Sequence, residues 1–443
     1  MSEFKGQYDI VVIGAGVLGV TVTFWLSELY DCSIALIEQE SEVAAHTSSR
    51  NTGVVHRPFY LNPEKKKVFA RAAQKSYYLW KALAAKYGLP WRQVGTLEVA
   101  VRDSDLPVLE KYREWSQTNG MLSEEIDLLD SKEVERLEPL VSCLGAIHSK
   151  TDAVVSFKEF SEFIQSLAVE NGAKFLNNTF AIGVKEGNQS VEIKVRKNGA
   201  PTTYVDCNLL INTAGGQAVD IAHMMGLAKS YTDLHFRGEY WSVNESFAPK
   251  ITRNIYSVPK HKDFPFLDPH FIVRHDGRKE IGPNAVLVAG PESYKGIARS
   301  AGELVRKVFE KPINPKINLM TNRKFLSLAI NEWKSSLSKK AMCGRVQQFI
   351  PSLEAKMLAA RGVAGIRSSI IDSNGFVPEA TQMYSEKSLH ILNYNSPGAT
   401  GAPAFSAYVV STLQEKGYLD GLSRKKQSTD ASFWAFEDAC NIE

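Results

Sequence analysis

The chain of 443 residues is 44% hydrophobic and 23% charged, which suits one large or two intermediate globular domains with a substantial core. Its 52 Lys and Arg against 49 Asp and Glu leave a formal charge of +3, so nothing in the overall balance calls for nucleic acid or a membrane as partner. Five scattered cysteines without a C-x-x-C exclude a disulfide framework and a zinc site, and a reducing cytoplasm is the expected setting.

The first stretch with chemistry is Tyr8 to Glu38. The apolar run Ile10 to Ile13 predicts a strand buried on both faces. Gly14, Gly16 and Gly19 follow as G-x-G-x-x-G, with Val17 and Leu18 opening a helix, and a second buried strand, Ser33 to Ile37, ends at Glu38 and Gln39. This strand–turn–helix–strand unit is the dinucleotide fingerprint in its expected context. The helix N-terminus offers unpaired N–H groups to a pyrophosphate, and Glu38 can accept hydrogen bonds from ribose hydroxyls. The glycine spacing, with no Lys/Arg cluster directly before the run, argues against reading Ile10 to Leu26 as a signal peptide or membrane span.

Residues 41–60 are small, polar and turn-rich, and Ser48, Ser49, Asn51, Thr52 and Gly53 are expected along the phosphates and the rest of an extended cofactor. Residues 63–87 read as a helix, Trp91 to Val101 as a strand, 103–140 as helical, and 144–157 as strand-like before a helix near 158–170. Short strands follow at 174–176, 181–184 and 191–195. The strand Leu209 to Asn212 then runs into Ala214, Gly215 and Gly216, a second glycine turn that passes close to the cofactor in FAD enzymes and is usually missing from NAD enzymes; FAD is therefore the expected cofactor. Residues 236–290 read as mixed β and are dense in pocket groups, among them Tyr240, Tyr256, Lys260, His270 and Arg274. Residues 301–350 are helical and rich in Lys and Arg. Near the end, Gly365-Ile366-Arg367 precedes a turn at Asn374-Gly375, and the small residues 395–402, with Gly398, Ala399 and Thr400, open a last helix whose N–H groups would face an electron-rich ring. The tail beyond Arg424 is polar but carries Phe433, Trp434 and Phe436, so peripheral contact with the cytoplasmic membrane face is expected there.

With these blocks in hand, the chain resembles FAD-dependent dehydrogenases of the D-amino-acid oxidase-like superfamily, in the frame of L-2-hydroxyglutarate dehydrogenases and of flavin-linked glycerol-3-phosphate dehydrogenases. The matching blocks are Asn51 to His56, Arg237 to Tyr240, Ile255 to Pro259, Pro265 to Leu267, His270, Gly282 to Leu287, Gly365 to Arg367 and Ser396 to Thr400. The resemblance implies an α/β fold in which a Rossmann-like FAD-binding domain (1–90, 150–230 and 355–420) interleaves with a mixed β-sheet plus helices substrate domain (91–149 and 231–354), followed by a C-terminal tail (421–443). It implies His270 as the base, His56 as second choice, and Arg367 as the anchor of the substrate's anionic end and a neighbour of the cofactor beside Gly365. Arg57, Tyr256, Lys260 and Arg274 are further substrate-binding candidates.

The chain departs from the hydroxyglutarate frame at several points. Arg57-Pro58 follows His56 in place of Ala-Gly, Lys260-His261-Lys262 follows Pro259 in place of Asp-Pro, Ser368-Ser369 follows Arg367 in place of Ala-Gln, and the acidic pair expected downstream is replaced near Pro378-Glu379-Ala380. The first two add positive charge. A phosphate presents three acceptor oxygens on one centre and favours clustered cations, so sn-glycerol 3-phosphate, oxidised to dihydroxyacetone phosphate, ranks narrowly above L-2-hydroxyglutarate. An amino-acid oxidase-type reaction and a non-enzymatic flavoprotein are the remaining readings. Quinone or another carrier is the expected electron acceptor, and a homodimer is one possible assembly.

Overall fold

The structure, a computed structural model, describes residues 5–197, 199–260, 268–425 and 434–442. Expectations that rested on His261, Lys262, Pro265 to Leu267 and Phe433 fall outside these residues.

Strand Lys5–Ile13 lies at the centre of a parallel sheet, between Ile34–Ile37 and Thr202–Asn212, and Lys174–Leu176 extends it beyond Ile34–Ile37. Strand Ser388–Leu392 joins the far end of Thr202–Asn212 in parallel, at Leu210 to Asn212. The antiparallel strands Val191–Lys197 and Thr179–Glu186 close that side. Val11, Val12, Leu210 and Ile211 are fully buried, as an apolar run flanked by strands on both edges requires. Helices Val17–Leu29, Phe157–Glu170 and Gly398–Glu415 pack in one core with Trp25, Phe160 and Phe405.

Gly14 holds a left-handed φ of +97°, and a side chain there would strike the backbone of Ala214, so the two glycine turns are in direct contact. A Cβ on Gly19 would overlap the Gly14 carbonyl oxygen, which is why helix and turn pack so closely.

A second, eight-stranded sheet draws its strands from two stretches of the chain: Thr96–Ala100, Ile126–Asp130 and Gly145–Ser149 from one, and Trp241–Val243, Asn254–Ser257, His270–Val273, Lys279–Gly282 and Leu358–Arg361 from the other. Strand Ile126–Asp130 corrects the all-helical expectation for 103–140; it pairs with Gly145–Ser149 between helices Leu106–Thr118 and Ser131–Leu137. A four-stranded sheet sets Thr232–Gly238 against Gly365–Asp372, with Phe236 opposite Arg367. Residues 301–346 form four helices: Ala301–Val308, Asn314–Thr321, Arg323–Leu337 and Lys339–Val346.

The aromatic tail does not face outward. Trp434 and Phe436 are buried against Phe24, Trp25 and Trp80, and the Trp434 indole N–H donates to the Leu79 carbonyl at 2.8 Å. A membrane anchor at these two residues is thereby ruled out, because their apolar area is already spent on the core.

Candidate active site

One elongated cavity of about 430 Å³ runs between the sheets. At one end Gly14, Gly16, Val17 and Leu18 of the first turn face Glu38 and Gln39. The Glu38 carboxylate accepts from the Ala15 amide at 2.7 Å and from the Glu40 amide at 3.0 Å, while burial raises its pKa. Ser48 Oγ accepts from the Val17 N–H at 3.0 Å, so a hydroxyl already sits where the helix offers its free amides. Ser48, Asn51 and Thr52 continue the wall, with Ala214, Gly215 and Gly216 of the second turn, then Gly365, Arg367, and Gly398, Ala399 and Thr400 at the start of the last helix.

Three expected cofactor residues stand back from the wall. Gly19 is taken up by helix packing, the Ser49 hydroxyl donates to the His46 carbonyl at 3.3 Å, and Gly53 shapes the loop at φ +76° with its N–H on Asn51 Oδ1. The two glycine turns in contact, the Glu38 carboxylate and the start of the last helix on one wall fit FAD, which would have Glu38 at the ribose, the first turn and Ser48 at the pyrophosphate, and the Gly398–Thr400 amides at the ring.

The other end carries the reactive groups. His56 and Tyr60 approach from one side, Tyr256 and His270 from the substrate sheet, and Arg367 from strand Gly365–Asp372. The His270 ring stacks on Tyr256 at 3.8 Å between centroids, and Tyr256 meets His56 edge-on at 5.7 Å. Burial holds His270 well below the usual imidazole range, with His56, Arg345 and Arg367 adding repulsion, and its Nδ1 has no hydrogen-bond partner in the structure. His56 differs. Its Nδ1 lies 3.3 Å from Asp152 Oδ2, and Asp152 is fully buried and accepts from Thr96 Oγ1 (2.8 Å), Ser149 Oγ (2.5 Å) and the Arg57 N–H (3.2 Å). A carboxylate only accepts, so Nδ1 carries the proton and Nε2 the lone pair. Nothing in the local sequence around Asp152 flags it; only the fold brings it within reach, 96 residues from His56.

Three expected substrate-binding cations do not line the cavity. Arg57 is fully buried in a bidentate pair with Glu125, both bonds at 2.7 Å, and its guanidinium lies 4.2 Å over the Tyr77 ring. Extended backbone at Arg57 turns its side chain away from the side that His56 faces. Arg274 is bound to Glu280 at 2.8 Å and donates to the Asn51 carbonyl, so it braces the cofactor loop. Lys260 points to Gln348. Residues on the wall that were not singled out include Tyr60, Glu98, Tyr112, Asp268 and Tyr394.

The profile of the family described as FAD dependent oxidoreductase matches residues 9–412. The chain is 28% identical to L-2-hydroxyglutarate dehydrogenase of Escherichia coli K12 over 92% of this chain and 93% of that one, and 26% identical to the mitochondrial L-2-hydroxyglutarate dehydrogenase of Homo sapiens over 94% and 90%. Its fold is similar to FAD-bound L-alpha-glycerophosphate oxidase from Mycoplasma pneumoniae, at TM-score 0.73 and 21% identity over 95% and 96% of the two chains. With two touching glycine turns, the Glu38 carboxylate at one end of the cavity and a histidine–arginine pocket at the other, the chain belongs to the FAD-dependent oxidoreductases of the D-amino-acid oxidase-like superfamily.

Proposed function

We propose that the protein oxidises the secondary alcohol of a small 2-hydroxy acid, with L-2-hydroxyglutarate as the favoured substrate. The observation that carries the reading is that the Asp152-paired His56 and Arg367 line one cavity. Arg367 grips the substrate carboxylate through its planar fork. His56 Nε2 takes the hydroxyl proton, and Asp152 orients the ring and stabilises the imidazolium that results. His270 stays neutral and donates a hydrogen bond to the substrate oxygen, because its depressed pKa makes it a poor proton acceptor. FAD, when bound, supplies the acceptor for the hydride released from the carbinol carbon.

This reading moves the base from His270 to His56 and the substrate from a phosphate to a dicarboxylate. Among the described residues the cations expected to cluster around a phosphate are dispersed: Arg57 is neutralised by Glu125, and Lys260 and Arg274 are engaged elsewhere. The long matches to L-2-hydroxyglutarate dehydrogenases support the same choice. The test is anaerobic bleaching of the bound flavin. L-2-hydroxyglutarate is expected to bleach it at saturating concentration. Bleaching by sn-glycerol 3-phosphate instead would restore the phosphate reading, and bleaching by neither would overturn the alcohol-dehydrogenase assignment in this form.

A further inference from the structure

Segment 295–340 stands apart in both charge and exposure. It holds eleven Lys and Arg against three Glu, a net of +8 in a chain whose total is +3, so the remainder is net negative. It also holds half of the exposed large hydrophobic residues among the described residues, ten of twenty, in about a tenth of the chain. No helix in the described residues is long and apolar enough to cross a membrane.

Helix Ala301–Val308 is built inside out. Its inward face is polar: Lys307 is buried and bound to Asp233 at 2.9 Å and Glu310 at 2.8 Å, and Glu303 accepts from Ser293 Oγ at 3.1 Å. Its outward face carries Leu304, Val305 and Val308, with Phe309 next in the chain and 67% exposed, at the i, i+1, i+4, i+5 spacing that makes one stripe. Helix Arg323–Leu337 repeats the arrangement in its second half: Glu332, Ser335 and Ser336 are buried while Ile330 and Leu337 are exposed, the latter 77%, whereas Phe325 and Ala329 in the first half join the core. A helix that buries its charges and presents its apolar side to water forgoes hydrophobic stabilisation unless something covers that side.

We propose that helices Ala301–Val308, Asn314–Thr321 and Arg323–Leu337 form a docking surface for an anionic lipid bilayer, with the apolar stripes entering the interface and the surrounding cations meeting the headgroups. Charge selects the occupant. A second copy of the chain would set one net-positive face against another, and a nucleic acid would leave the aliphatic stripes in water, whereas a bilayer of acidic lipids satisfies both features. With Trp434 and Phe436 buried, this is the densest exposed apolar face among the described residues, and the Lys307–Asp233 bond ties it to the cavity wall, which Asp233 lines.

Flotation of the purified holoenzyme with vesicles tests this. Binding is expected to vesicles of phosphatidylcholine doped with phosphatidylglycerol, to be much weaker to phosphatidylcholine alone, and to fall with salt. The double variant Val305→Asp, Phe309→Asp is expected to lose at least about tenfold in partitioning. Arg323→Gln and Lys324→Gln are each expected to lose roughly fivefold on acidic vesicles. Unfolding temperature, flavin content and dye-linked turnover are expected to stay at the unsubstituted level in all of them. No flotation on acidic vesicles at low salt, undiminished flotation of the Asp variant, or a dimer in light scattering that Phe309→Asp splits would each overturn the proposal.

Discussion

His56 and Arg57 are neighbours in the chain and belong to two different regions. His56 faces the cavity, where Asp152 fixes its tautomer and the solvent side is left for a ligand. Arg57 faces the layer behind, where Glu125, Gln74 and Thr151 hold its two terminal nitrogens and the Tyr77 ring lies under its guanidinium. Arg367, another cation, belongs to the first region. In the layer behind, a charge is matched at once by an opposite charge and serves the fold. On the wall, His56 and Arg367 both border the open cavity, and under the proposed function each meets the substrate there. Type of residue does not separate the two cases; direction does.

The largest expected effect tests the wall. His56→Ala should lower the rate of flavin reduction by roughly 10²–10⁴ at saturating substrate, the span of a positioned general base, with flavin content unchanged. An unchanged rate would show that the base lies elsewhere, and His270 is the next residue to replace. The two arginines should then part company. Arg57→Ala strands the Glu125 carboxylate and should cost about 3–5 kcal/mol of stability, with KM of the surviving enzyme unchanged. Arg367→Ala should leave the melting temperature in place and lower kcat/KM by about 2–5 kcal/mol. A raised KM for Arg57→Ala without loss of stability would erase the distinction.

A separate effect, spread over several buried histidines, concerns acid. Burial lowers His148 and His390 to a pKa of about 4, and it holds His270 down as well. Below the unfolded value near 6.5 the unfolded chain takes up protons that the folded chain refuses. Stability is therefore expected to fall as pH drops from about 6.5 to about 4, by about 3 kcal/mol each for His148 and His390. Melting temperatures across that window check it, and His390→Gln should flatten the slope if the fold accepts it.

The nucleotide end was legible because its chemistry is local. Three glycines, two apolar strands and a terminal acid sit within one supersecondary unit, and each has a packing reason visible in the spacing. The substrate end was legible in part. His56, Tyr256, His270 and Arg367 were marked, but Asp152 was not, because its role exists only after strands from distant parts of the chain pair. Arg57 misled for a related reason. Composition registers a cation, whereas its partner Glu125 lies 68 residues away and becomes a partner only through the fold. The strand Ile126–Asp130 was hidden by its acidic ends, Asp127 and Asp130, in a charged stretch that reads as helix.

Gly365 closes the cavity at its middle, and a side chain there would collide with the Arg50 carbonyl oxygen of the cofactor loop. The loop that meets the cofactor and the strand that carries Arg367 therefore share one contact with no slack. Under the proposed function the two halves of the cavity are linked through it: whatever fixes residues 50–52 also fixes Arg367. Linkage is reciprocal, so substrate held at Arg367 is expected to tighten the hold on the cofactor by the same factor and to act as a retention signal for the prosthetic group.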